Sequence, residues 1–546
     1  MGIAIKNFGG MVKRTDPSLL PDNMACHSLN VDYLAGTLKP LKQQSTVYMN
    51  SGNTLKNLYW TNAGRIVGFR EDIYWAKEAT KGYGKEWVYV TGWTGQPPLR
   101  ASMTEFVLSI NNDPFAIISL ASFTTLGIPA PTVPLVVETR GEGNGVAMAR
   151  AYVWTWLTQY GEESAPSPPS NIIDVKPGQS AWITLTPNLP PAGVTNMRIY
   201  RTDATGNYRF LAEIIYGTAW EGGDDRADYL LGEILQTEGW FPPPSALSGL
   251  KSGPNGTYAG FFNNTVAFSQ PYAPYAWPID FQYNVDYPIV AVQANSGGWL
   301  ILTTGTPYFI YGSNPANMTM AKVNVNQACI APRSVVDMGE YVLYASPDGL
   351  IAARGMDFQV ISKKVWTRDQ WMALVPSTMV GCAYQGRYIG FVADQTQNSS
   401  FIYYPEDNYF TYATVSASTY VVHLASDSLY LYHFNRDRVE LWGGGNALSM
   451  AWFSKRFTFP MSINLGAALV DAAAYPVGFG IYLDESPSTF SVSSTTPSVF
   501  VVVTSRKPFK LPAGYLGNSF RILLSGANEI YGLYIGQDID ELMELM

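Results

Sequence analysis

The sequence of 546 residues holds only three cysteines and three histidines. Cys26, Cys329 and Cys382 are odd in number, far apart and without C-x-x-C spacing, which argues against a disulfide framework or a thiolate zinc site. They read as reduced, buried, small hydrophobes. His27 falls in an irregular N-terminal stretch, and His423 and His433 fall on neighbouring predicted strands, where a partly buried ring with one hydrogen bond is the plain expectation. Little imidazole is left for acid-base or metal work near neutral pH. No H-E-x-x-H, G-x-S-x-G or P-loop pattern occurs. Charge is scarce as well, 14% against a usual value of about 25%. With 35 Lys and Arg against 43 Asp and Glu the net charge is -8, and the basic footprint of a nucleic-acid binder is missing. Lys6 is the only charge in Met1–Gly10, no apolar signal core follows, and the most apolar runs, 288–294 and 498–503, are too short to span a bilayer. A soluble, cytosolically made chain without membrane insertion is expected.

What the chain has in quantity is turns and rings. Gly (49) and Pro (36) interrupt every stretch, and aromatic residues make up 14%, with 35 Tyr and 15 Trp. These are the types that fit a pleated, half-buried surface, so the expected class is all-β.

Residues 1–50 read as an extended N-terminal arm, because Gly9, Gly10, Pro21, Gly36 and Pro40 break any helical period. Residues 51–140 supply first propeller strands, with short aromatic runs at 58–60, 66–69, 73–76 and 87–90. The strands within 55–98 would give a further blade or the closure of the propeller. Residues 146–226 form a separate unit, with strands at 151–158, 182–185, 197–201 and 208–215 and a Ser- and Pro-rich turn at 161–169. Tyr152-Val-Trp-Thr, Gly161-Glu-Glu-Ser-Ala-Pro-Ser and Arg198-Ile-Tyr-Arg-Thr202 resemble fibronectin type III and immunoglobulin-like sandwiches. Over 250–445 a hairpin-bearing unit recurs, with Tyr258, Trp299, Tyr341, Tyr388 and Leu429 as anchors about 40–50 residues apart, the repeat of a four-stranded propeller blade. A stack of meanders is the alternative. Residues 446–546 read as a C-terminal β-sandwich, with strands at 452–459, 468–474, 479–483, 499–504, 520–524 and 530–535 and an acidic, helical end from Asp538. The expected architecture is thus a β-propeller core with a fibronectin III-like sandwich insertion and a C-terminal sandwich.

Four groups invite a chemical reading. Glu221, Asp224, Asp225 and Asp228 could bind a hard cation, against the plainer reading of a solvated acidic loop. Ser346-Pro-Asp-Gly349 resembles a sialidase Asp-box but lacks its spacing and its Trp, so a hairpin turn explains it better. Lys455-Arg456 and Arg506-Lys507, each beside Phe, could touch nucleic acid, but strand-edge charges that discourage aggregation are the simpler account. No residue is assigned a catalytic, cofactor-binding or metal-binding role, no cofactor is expected, and the chain reads as a non-enzyme.

Phe8-Gly-Gly-Met, Asp16-Pro-Ser-Leu-Leu-Pro-Asp-Asn23, Asn30 and Gly36-Thr-Leu-Lys-Pro40 resemble the opening of the tail nozzle proteins of short-tailed phages, also called tail tubular protein B. Leu231-Gly-Glu-Ile-Leu, Trp240-Phe-Pro-Pro-Pro244, Ser269-Gln-Pro-Tyr with Ala276-Trp-Pro278, and Thr303-Thr-Gly-Thr-Pro-Tyr308 are similar to later segments of that class, as are Trp452-Phe-Ser-Lys455 and Lys510-Leu-Pro-Ala-Gly514. The likeness touches most of the chain, and its motifs are short and structural. It implies a homohexameric ring at the distal end of a virion's short tail, assembled in the host cytoplasm. That ring would be a conduit and gate for DNA and ejection proteins. Its partners would be the head-to-tail adaptor ring, tail fibres or spikes, and double-stranded DNA in transit without tight binding. The resemblance places the gate loops on no particular residues. The charge of -8 suits a conduit, because phosphates would slide rather than stick. Two rival functions remain: a receptor- or glycan-binding tail module whose Tyr and Trp stack on sugars, and a polysaccharide-degrading tail enzyme.

Overall fold

The structure, a computed structural model, describes residues 2–49, 54–61, 64–77, 87–102, 115–187, 189–217, 220–295, 297–392, 399–433, 437–483 and 497–545. The described chain is all-β, with a propeller core of small antiparallel sheets, an inserted sandwich and a C-terminal sandwich. It divides into two compact units: Met1–Arg70, Thr304–Pro307 and Asn324–Met546, and Glu71–Thr303 with Tyr308–Val323.

In the first unit, three four-stranded blades follow one another. One is Val336–Asp337, Val342–Ser346, Gly349–Arg354 and Asp357–Val360; the next is Val380–Tyr384, Arg387–Phe391, Ser400–Tyr404 and Tyr409–Ala413. The third, Thr419–His423, Ser428–His433 and Arg438–Leu441, is completed by Ser45–Met49 from the N-terminal arm. In the second of these blades the middle strands Arg387–Phe391 and Ser400–Tyr404 are buried on both faces, which is why these runs read as continuously apolar or aromatic rather than alternating. The hairpin Asn57–Trp60 and Ile66–Phe69 also belongs to this unit.

The arm is stitched into the unit at further points. Ile3–Ile5 pairs with Ile530–Gly536, and Ala25–Leu29 lies between Met450–Ser454 on one side and, through Leu29 and Tyr412, the outer strand of the 380–413 blade on the other. Blade and C-terminal sandwich therefore share one sheet, which runs on through Gly517–Gly526 and Val477–Leu483 to Val499–Val503. The facing sheet is Ile3–Ile5, Ile530–Gly536, Ala467–Ala472 and Phe509–Lys510. Leu465, Ala468, Phe479, Ile522, Leu524 and Leu533 are buried between them.

The second unit holds three blades: Tyr74–Lys77, Trp87–Thr91, Leu99–Ser102 and Thr124–Thr125; Ser248–Ser252, Tyr258–Phe262, Thr265–Phe268 and Gln282–Asn284; and Ile289–Asn295, Gly298–Thr303, Tyr308–Tyr311 and Thr319–Lys322. Its sandwich opposes the sheet Val136–Arg140, Ser180–Leu185 and Trp220–Asp224 to the sheet Tyr152–Thr158, Val194–Thr202 and Tyr208–Ile215. Ser180–Leu185 alternates half-buried and buried residues along its length, and Ala181, Ile183 and Leu185 meet Trp154, Trp156, Met197 and Ile199 in the core. Each buried indole removes enough area from water to contribute roughly 4–6 kcal/mol as an upper estimate.

Several expectations are corrected. The expected arm is more than an arm, because its Ser45–Met49 completes the third blade of the first unit, while 55–98 supplies strands of a further blade, one of the two roles expected for it. The inserted sandwich begins with Val136–Arg140, ahead of residue 146, because that strand pairs with Ser180–Leu185. The strand expected over 452–459 is two, Met450–Ser454 and Phe457–Ile463, which pair with different stretches of Gly517–Gly526 and break at Lys455-Arg456. The Ser- and Pro-rich segment at 161–169 goes beyond a turn. Ser164, Ser167 and Ser170 donate their N–H groups to the carbonyls of Trp156, Trp154 and Tyr152. Their hydroxyls accept from the N–H groups of the same three residues at 2.9–3.1 Å. Prolines at 166, 168 and 169 have no N–H to donate, and the serines that stand every third residue among them carry both the donor and, through the hydroxyl, the acceptor of each rung.

The anchors Tyr258, Trp299, Tyr388 and Leu429 all lie on the second strand of their blades, and Tyr341 stands next to the second strand of its own.

Candidate functional site

The densest polar constellation of the first unit is the seat of the N-terminal arm on the 380–413 blade. Asp32 reaches Arg387 at 3.1 Å, and the Arg387 side chain is 3% exposed. Burial opposes the Arg387 charge, but Asp32 and Tyr404 outweigh it and hold the guanidinium more firmly protonated than usual. The Arg387 guanidinium also stands over the Tyr404 ring. Ser28 Oγ lies 2.6 Å from Tyr33 Oη and 2.8 Å from Thr411 Oγ1, and Thr414 donates to Asn30 Oδ1. Tyr33 packs edge-on against Tyr404 and Tyr409, and burial lifts its hydroxyl well above the usual range. The network joins arm to blade by mostly buried bonds.

In the sandwich the acidic cluster meets arginine instead of solvent or metal. Arg201, wholly buried, pairs with Asp224 at 2.8 Å and Asp228 at 2.6 Å, and Arg150 stands 3.7 Å from Asp224. Tyr152 Oη donates to Asp224 at 2.8 Å, and burial followed by that carboxylate pushes its hydroxyl up. Both earlier readings of Asp224 therefore fail: it is buried, its Oδ2 faces the two guanidinium groups, and its Oδ1 accepts the main-chain N–H of Arg226. Glu221 and Asp225 are exposed beside it. Among the described residues no group of three or more His, Cys, Asp or Glu is placed to hold a metal ion.

The remaining candidates separate. His27 is pushed down to about 4, first by burial and then by Lys13, and packs against Phe453. His423 stacks on Trp60 at 4.0 Å, and Tyr430 stacks on the same indole at 5.5 Å. His433 ends the strand next to that of His423. Cys329 and Cys382 are buried, and desolvation raises both thiols, Cys329 to about 12. Ser346-Pro-Asp-Gly349 is the turn joining two blade strands. Gly349 has φ 143°, and a Cβ there would stand 2.4 Å from Ser362 Oγ, so the glycine serves the backbone. Lys455 pairs with Asp22 and Arg506 with Asp471.

The sequence reading missed two assemblies: the Asp32 and Arg387 seat, and an open cleft of about 940 Å³ in the first unit lined by Arg14, Lys363 and Lys364. The adjacent lysines 363 and 364 were the visible signal for the cleft. Nothing in the local sequence brings Arg14 to them.

No protein-family model matches the chain, and no curated protein matches it in sequence. Solved structures do align with it. Hsv2 of Kluyveromyces marxianus aligns at 7% identity and TM-score 0.24, over 46% of this chain and 68% of that one. The extracellular domain of a putative hybrid two-component system of B. thetaiotaomicron aligns at 10% and 0.26, over 86% and 51%. PorZ, a surface component of the type-IX secretion system of Porphyromonas gingivalis, aligns at 10% and 0.28, over 86% and 52%. The chain thus spans about half the length of the latter two. At such scores the fold assignment rests on the sheets of this chain itself.

Proposed function

We propose that the chain is a structural virion protein, one subunit of the nozzle ring that ends a short phage tail and conducts DNA and ejection proteins into the host. The observation that carries the reading is the order of parts. A long arm completes one blade and threads into the C-terminal sandwich, with a propeller core and an inserted sandwich between. That order accompanies the segment likenesses at 8–40, 231–308 and 452–514. The polar clusters of both units serve internal cohesion, as in Asp32 with Arg387 and Asp224 with Arg201, which favours a mechanical role over a catalytic one. Six copies closed head to tail would meet through unlike faces, and an aromatic-rich chain with two sandwiches has surface for such contacts.

The test is imaging of the purified chain with its adaptor ring by electron microscopy. A six-fold ring with a channel that admits duplex DNA supports the reading, and a lasting monomer or a channel-free trimer overturns it.

A further inference from the structure

Many arginines of the chain face a carboxylate, as Arg387 faces Asp32 and Arg506 faces Asp471. Arg14, Lys363 and Lys364 converge on the cleft of about 940 Å³ and form no ion pair among the described residues. Arg14 donates to the main-chain carbonyl of Lys363, which ties the arm to this end of the cleft. The rest of the lining is of another kind. Val12, Val360 and Pro405 give an apolar wall, Tyr341 gives a half-buried ring, and Thr15 and Asn408 give a hydroxyl and an amide. Beside Tyr341, the carboxylate of Glu340 stands 3.7 Å from Arg354 Nη1.

We infer that this cleft binds a saccharide carrying one carboxylate. The clustered cations would take the acid by charge-assisted hydrogen bonds, and the ring and apolar wall would take the C–H face of the adjoining sugars. The cations are gathered at one end and the rest of the lining is apolar or neutral, so a polymer charged along its whole length, such as nucleic acid or an acidic peptide, fits less well. The volume of about 940 Å³ lies within the range of small-ligand sites. The inference is independent of ring formation, and its test leaves the oligomer question untouched.

The full chain is titrated calorimetrically with sialyllactose and aldotriouronic acid, each a saccharide with one carboxylate, and with lactose, inorganic phosphate and a short glutamyl peptide. At least one acidic saccharide should bind, lactose should not, and Arg14→Gln, Lys363→Gln and Lys364→Gln together should weaken binding by about tenfold for each charge-assisted bond lost. All three side chains are exposed and the main-chain bond from Arg14 N–H to the Val365 carbonyl survives in the variant, so a melting curve beside that of the parent separates loss of binding from loss of fold. The inference would be overturned by no binding of either saccharide, equal binding of lactose, unchanged affinity in the triple variant, or tighter binding of the glutamyl peptide. Phosphate binding as tightly as the saccharide would mark an adventitious ion only, and would overturn it too.

Discussion

Asp32 and Arg387 meet at 3.1 Å across most of the length of the chain, and that ion pair fixes the arm to a propeller blade. Removing Asp32 leaves the Arg387 charge buried without its partner. Asp32→Ala should therefore lower unfolding stability by about 3 kcal/mol in urea titration, and Arg387→Met combined with Asp32→Leu should restore part of it. Equal stability of Asp32→Ala and the parent would show that the arm is held by its strand pairs alone.

Arg201 takes the place that a metal ion would hold beside Asp224 and Asp228. Millimolar calcium should leave the melting temperature unchanged, whereas Arg201→Met should destabilise the fold by about 3–5 kcal/mol because Asp224 remains buried and charged. A calcium-dependent rise in the parent protein would contradict this account of the cluster.

The serine ladder is open to hydrogen exchange. Each of Ser164→Ala, Ser167→Ala and Ser170→Ala removes an acceptor from one buried main-chain N–H and should cost about 1 kcal/mol. The loss of protection should fall on Trp156, Trp154 and Tyr152 respectively. Uniform protection across the three variants would rule the ladder out as the source.

His27 gives the fold an acid sensitivity. Its folded value of about 4 lies below the ordinary 6.5, so nothing is lost above 6.5, where both states are neutral. As pH falls from 6.5 to 4, the unfolded chain takes up a proton that the folded chain refuses, and stability drops by up to about 3 kcal/mol. A His27→Gln variant should show a shallower decline over that window in stability measured against pH. Identical slopes would place the sensitivity elsewhere.

Cys329 and Cys382 should resist alkylation in the folded protein and react only on unfolding, because burial keeps both as thiols. Mass spectrometry after brief iodoacetamide treatment reads this directly, and rapid native labelling of either would contradict their burial.

The blades were legible because their period survives in single residues: Tyr258, Trp299, Tyr388 and Leu429 each mark a second strand. Burial on both faces concentrates aromatic and apolar residues there, and a one-dimensional reading detects that. The closure at Ser45–Met49 was hidden because its partner, Arg438–Leu441, is remote and its own burial is slight. The serine ladder was hidden for a different reason. Its residues have turn composition, and only the facing backbone of Tyr152–Thr158 makes them a strand-like rung. The acidic cluster misled because Asp224 finds Arg201 and Arg150 through tertiary contact, and charge counted along the chain does not show which acids face arginine.

The central claim is that the chain works as a subunit of a conducting ring, and electron microscopy of the chain assembled on its adaptor tests it most directly. A six-fold ring with a central channel wide enough for duplex DNA is the result expected. A persistent monomer, or an assembly closed at its centre with no room for a duplex, would contradict it.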